Sequence, residues 1–158
     1  MHRPVLYVSF AWAALYYCFL QAQAASTFWV HQRLRKEATS SPASAPAPPW
    51  SSLAARSVKA TRHGLIFCLD RAVGNMLEQS PPFLLSMWLY SAVVSPLAAS
   101  RLGWLWLLLR ACYLLAFAQR PVPSSKLGVS LLSIITWPSY AIIWAMFIGT
   151  LSEVALPR

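Results

Sequence analysis

The stretch RAVGNMLEQSPPFLLSMWLYSAVVS, residues 71–95, decides the fold. Arg71 and Glu78 stand in its first third, with Asp70 just before, and from Gln79 to Ser100 there is no charge. An α-helix needs about 20 apolar residues to cross about 30 Å of hydrocarbon, and this run supplies them. Its apolar residues fall on every side of a helical wheel, as in helices that lie in lipid. Pro81, Pro82 and Pro96 are expected to bend or end helix locally, which membrane helices tolerate.

Three further runs flank it. Val5 to Val30 carries no charge and is followed by Arg33-Leu34-Arg35-Lys36. Leu102 to Gln119 is interrupted only by Arg110, and Leu127 to Ser152 is uncharged, with Pro138 inside it. Over all 158 residues, 58% are hydrophobic and 11% charged, against about a quarter charged in ordinary globular proteins. The mean hydropathy is +0.51. A soluble domain of this size cannot hide so much apolar surface, which excludes a disordered chain and speaks against a water-soluble enzyme. The expected architecture is all-α: one integral membrane four-helix bundle spanning the chain, with helices near 5–30, 63–95, 101–119 and 127–152.

The scarce charges are lopsided, 13 Lys+Arg against 4 Asp+Glu. They sit at the borders of the apolar runs, where topology and anionic lipid headgroups account for them, so nucleic acid is set aside as a partner. Arg33, Arg35, Lys36, Arg56, Lys59, Arg62, Arg120 and Lys126 fall on one side; Arg3, Arg101 and Arg158 fall on the other. The positive-inside rule then puts the two basic loops inside and both termini outside. Between the basic blocks, Pro42, Pro46, Pro48 and Pro49 among Ala and Ser mark an extended, flexible linker, about 38–55. The first run has a rival reading as a cleaved leader of about residues 1–24, with Ala22-Gln23-Ala24 as an A-x-A site; the apolar Phe28-Trp29-Val30 beyond it speaks for a retained helix.

Several chemistries find no footing. Cys18, Cys68 and Cys112 lie inside apolar runs without a C-x-x-C, which points to packing. His2, His31 and His63 are scattered, so no metal site is expected. There is no glycine-rich phosphate loop and no G-x-S-x-G. The paired short or interrupted segments of a transporter are missing too.

The charges inside the helices are informative, because ionisable groups there are costly and face a bundle interior. Arg71, Asn75 and Glu78 are spaced i, i+4, i+7 on one helix face. At about 1.5 Å per residue, Glu78 lies about 25 Å from Ser95 and Arg110 about 14 Å from Gln119, so both approach the side of the basic loops. Tyr113 and Phe117 follow Arg110 at i+3 and i+7. One reading is structural: Arg71 with Glu78, or Glu78 with Arg110, as ion pairs between helices. The other is a polar pocket, open to the inner face, for a small zwitterionic or peptide-like anion.

These residues resemble a family. Arg71-Ala72-x-x-Asn75-x-x-Glu78-x-x-Pro81-x-Phe83 is similar to the second-helix motif of MAPEG proteins, the membrane-associated proteins in eicosanoid and glutathione metabolism. Arg33-Leu34-Arg35-Lys36, Arg110-x-x-Tyr113-x-x-x-Phe117 and Pro121-Val122-Pro123 with Lys126 resemble further family features in the same order. The nearest branch is that of microsomal glutathione S-transferase and membrane prostaglandin E synthase.

The resemblance implies a homotrimer that holds glutathione between neighbouring subunits and turns its thiolate on lipophilic electrophiles or lipid peroxides. Arg71, Asn75 and Glu78 would bind glutathione from one subunit, with Arg110 and Tyr113 from the next. Lys126 or Arg120 would stabilise the thiolate, with Ser124 or Ser125 as hydroxyl donors. Membrane lipids and lipophilic small molecules are the implied partners, in the endoplasmic reticulum or another internal membrane such as the mitochondrial outer membrane. Three positions depart from the pattern: Val73 replaces a polar residue, Phe117 lacks a tyrosine hydroxyl, and Lys126 stands nearest to a family arginine without its bidentate fork. The departures point to an alternative, a non-catalytic relative that binds lipid or serves as a structural subunit of a larger membrane complex.

Overall fold

One helix forms over each apolar run. The computed structural model describes residues 2–40, 64–118 and 131–156. Its helices are α1 Arg3–Ser40, α2 Gly64–Val93, α3 Pro96–Ala118 and α4 Leu131–Ala155. The expected all-α class and helix count are what these residues form.

Two boundaries differ from the apolar pattern. α1 continues through Arg33-Leu34-Arg35-Lys36 to Ser40, because Arg, Leu, Lys, Glu and Ala are strong helix formers and a charge ends an apolar run without ending a helix. α3 starts at Pro96, ahead of Arg101. Ser95 caps it, its Oγ accepting the Ala98 N–H at 3.3 Å. Pro96 takes the first helical position, where its missing N–H costs nothing. The Tyr90 carbonyl accepts the Val94 and Ser95 N–H groups at 2.9 and 3.1 Å, so α2 passes into α3 through a tight turn. Pro81 and Pro82 in α2 and Pro138 in α4 lie inside continuous helices. The expected linker overlaps the end of α1 and otherwise lies outside the described residues.

The helices alternate in direction. At one end His2 Nδ1 meets Ser91 Oγ at 2.8 Å and Ser100 Oγ donates to the Pro4 carbonyl at 3.3 Å. Toward the other end, Gln23 Nε2 donates to Asp70 Oδ1 at 2.6 Å. The exposed Arg33, Arg35 and Lys36 lie beyond that second contact, whereas Arg3 and Arg101 lie at the first end. α2 and α3 form the middle: each packs against the other three helices, while among the described residues the α1 and α4 backbones do not approach each other closely.

Packing explains this arrangement. Phe83 and Trp106 stack with ring centroids 3.9 Å apart and planes 6° from parallel, both fully buried between α2 and α3. Gly103 lets α1 and α2 approach α3; a Cβ there would stand 2.7 Å from Val8 Cγ1 and 2.9 Å from Met87 Sδ. Ser86, Ser139 and Thr150 are buried between the helices and donate to carbonyls of their own helix at 2.9–3.0 Å. Small residues of this kind let membrane helices pack closely without orphaned polar atoms.

The outside is apolar as well: Tyr7, Phe10, Trp29, Trp137, Trp144 and Ile148 are all exposed. Arg3–Arg33 of α1 and Ser133–Ala155 of α4 are each long and apolar enough to cross a membrane. Cys18 points outward, so its expected role in packing does not hold, and Cys112 is half-buried. Cys68 lies among residues whose side chains are not described. The Ala22-Gln23-Ala24 site of the leader reading falls in the middle of α1, and Val5 and Val8 upstream of it are core residues.

Candidate functional site

The site starts from two amides one helical turn apart. Asn75 and Gln79 share a side of α2, and antiparallel α3 brings Arg110 opposite them. Arg110 is only 2% exposed. Its Nη1 donates to Asn75 Oδ1 at 2.9 Å and its Nη2 donates to Gln79 Oε1. Gln79 Nε2 donates in turn to Asn75 Oδ1 at 3.0 Å, closing a ring of three side chains. A guanidinium has donors only, so both amide oxygens must face it.

α3 adds aromatic walls. The Arg110 Cζ lies 4.9 Å from the Trp106 ring centroid and 5.9 Å from that of Tyr113, both within cation–π range. These rings stand at i−4 and i+3 from Arg110, on its side of the helix. Arg110 Nε and Trp106 Nε1 are buried without a hydrogen-bond partner. The result is a positive charge in an apolar bundle, oriented by neutral groups and, among the described residues, hydrogen-bonded to no carboxylate. Such a group can donate a charge-assisted hydrogen bond to an anionic oxygen, which would offset the cost of an uncompensated buried charge.

Of the residues singled out in sequence, Asn75, Arg110 and Tyr113 come together within one chain. Arg71 and Glu78 do not join them; both are exposed on the outer side of α2. The Glu78–Arg110 ion pair does not form, because Arg110 gives its terminal nitrogens to Asn75 and Gln79. Val73 packs with Phe19, Ala72 and Tyr113, so an apolar residue there suits an inward position. Between Arg71 and Glu78, a Cβ on Gly74 would meet nothing within 4 Å. Pro81 and Pro82 deprive the Leu77 and Glu78 carbonyls of their helical donors.

Gln79 and Trp106 escaped the sequence reading. The available signal was spacing: Gln79 is i+4 from Asn75, and Trp106 is i−4 from Arg110. Lys126, Arg120, Ser124 and Ser125 lie outside the described residues, as does the side chain of Phe117. Among the described residues, no group of three or more His, Cys, Asp or Glu side chains gathers as a metal site would require.

The MAPEG family profile matches residues 5–151, nearly the whole chain and all four helices. The chain belongs to the MAPEG family. A search of curated proteins returned no match. MAPEG proteins are membrane-associated and glutathione-related, so this apolar-skinned bundle is an integral membrane one.

Proposed function

We propose that this MAPEG protein binds glutathione beside Arg110 and acts as a membrane transferase or peroxidase on lipophilic electrophiles or lipid peroxides. The observation that carries the reading is the buried Arg110 guanidinium, held by two neutral amides with its Nε–H unspent. Asn75, half-exposed, links this inner charge to the outer strip of Arg71 and Glu78. That strip offers a cation for a second carboxylate and an anion for an amino group, the complement of a zwitterionic tripeptide. Bound glutathione supplies a thiol of pKa near about 8.5, and an adjacent cation raises its thiolate fraction. Lys126 or Arg120 would provide that cation, with Ser124 or Ser125 as hydroxyl donor.

The same strip supports self-association, as the homotrimer of the family resemblance implies. Arg71 and Glu78 are exposed on the outer side of α2, and charged side chains there are costly to hold against lipid. A second copy covering the strip would shield these charges from lipid. In this reading all four helices cross the membrane, with the basic loops inside and the termini outside, in the endoplasmic reticulum or mitochondrial outer membrane. Lipophilic partners reach the site from the bilayer.

A second reading is favoured by the closure of the Arg110 ring on itself and by Lys126 in place of an arginine: a non-catalytic relative that binds lipid or supports a larger complex. Glutathione binding and conjugation of a chloronitrobenzene by the full chain in detergent separate the two. We expect Arg110→Ala to weaken binding at least about tenfold, equivalent to about 1.4 kcal/mol. Lys126→Ala should keep binding and lose thiolate absorbance and turnover; absorbance that persists assigns the role to Arg120. Binding without turnover in the native chain selects the second reading. Absence of binding removes the enzyme and the glutathione pocket together.

A further inference from the structure

Buried arginines are ordinarily paired with acids. Arg110 is not: its two terminal nitrogens are taken by the neutral oxygens of Asn75 and Gln79. An acid was close at hand in sequence. Glu78 precedes Gln79, but successive residues on a helix are turned by about 100°, which sends Glu78 to the outer side. Gln79, 3% exposed, occupies the inner position. It also does something a carboxylate cannot, since its Nε2 donates to Asn75 Oδ1 and fixes that second acceptor.

We propose that Gln79 is a positioning residue that selects for ligands bearing a carboxylate. It orients the Arg110 guanidinium through hydrogen bonds without cancelling its charge. The charge is thereby left uncompensated, and the Nε–H, buried in this conformation, is spent on no protein acceptor. Glu at position 79, nearly identical in shape, would give Arg110 a resident counter-ion and spend the attraction internally. Glutathione and fatty acids share the recognised carboxylate. The inference rests on the reading of Arg110 as an anion receptor and extends it to a residue that touches no ligand itself.

The test compares the native full chain with Gln79→Glu in detergent, using glutathione and dodecanoate as separate probes and thermal unfolding as the control. We expect Gln79→Glu to unfold within a few degrees of the native chain, the new ion pair with Arg110 offsetting the lost Nε2 hydrogen bond to Asn75, and to bind at least about tenfold more weakly every probe that the native chain binds. Loss of binding in step with loss of stability would show a merely structural residue and overturn the proposal. So would equal binding by the two proteins, or a native chain that binds neither probe. Binding of dodecanoate alone, weakened by Gln79→Glu, retains the role of Gln79 and discards the glutathione reading. Should Gln79→Glu not fold, Asn75→Asp replaces the other neutral acceptor and is judged by the same outcomes.

Discussion

α2 buries Ala72, Met76, Phe83 and Met87 on one side and exposes Arg71, Glu78, Leu85 and Trp88 on the other. The inner side is complete within a single chain. Its rings stack, its hydroxyls find carbonyls, and its amides surround Arg110. The outer side exposes two charges and large apolar side chains such as Leu85 and Trp88. In the proposed reading, fold and association thus fall to opposite sides of one helix. The two glycines nearby express the same division: Gly103 of α3 is pressed by α1 and α2, whereas Gly74 of α2 faces open space.

The division can be tested at graded cost. Phe83→Ala removes one ring of the inner stack and should destabilise the chain by about 3–5 kcal/mol, read from unfolding in mixed micelles. A cost below about 1 kcal/mol would mean that the stack is dispensable and the inner side is not what holds the fold. Gly103→Val forces a branched side chain against the buried Val8 and Met87, for which we expect a penalty of about 1–3 kcal/mol; equal stability would show that the α1–α3 seam is loose. Gly74→Ala should be mildest and opposite in sign, stabilising by up to about 1 kcal/mol through helix propensity. If that substitution instead destabilises the purified protein, and cross-linked oligomers decline with it, the open space on the outer side is occupied by another copy.

Much of this was legible in the sequence because lipid imposes a simple rule. A run of about 20 apolar residues is hard to read as anything else, and each of the four became a helix. Helix ends were less legible, since hydropathy marks where lipid stops and not where hydrogen bonding does. Ser95-Pro96 carried the correct signal for α3, a cap followed by a proline at the first position, and it outweighs the charge at Arg101. The site was half legible. On a helical wheel Glu78 lies about 20° from Arg71, but Asn75 lies about 40° to the other side and Gln79 about 40° beyond that. The apparent single face is therefore the edge between two faces. Charge drew attention to Glu78, whereas burial selected the neutral Gln79 beside it.

The tight turn at Val94 and Ser95 bears on how the chain is made. α1 and α4 are apolar enough to cross a membrane unaided; α3 carries Arg110 at mid-length, and an arginine at the centre of a lone helix costs about 2.5–3.5 kcal/mol to insert. Asn75 and Gln79 offset that cost only when α2 arrives with it. With so short a tether, the two middle helices are ready-made partners at the moment of synthesis. In the four-span reading they enter the bilayer as one hairpin, so the pairing that shapes the site is also the passport of its cation into lipid.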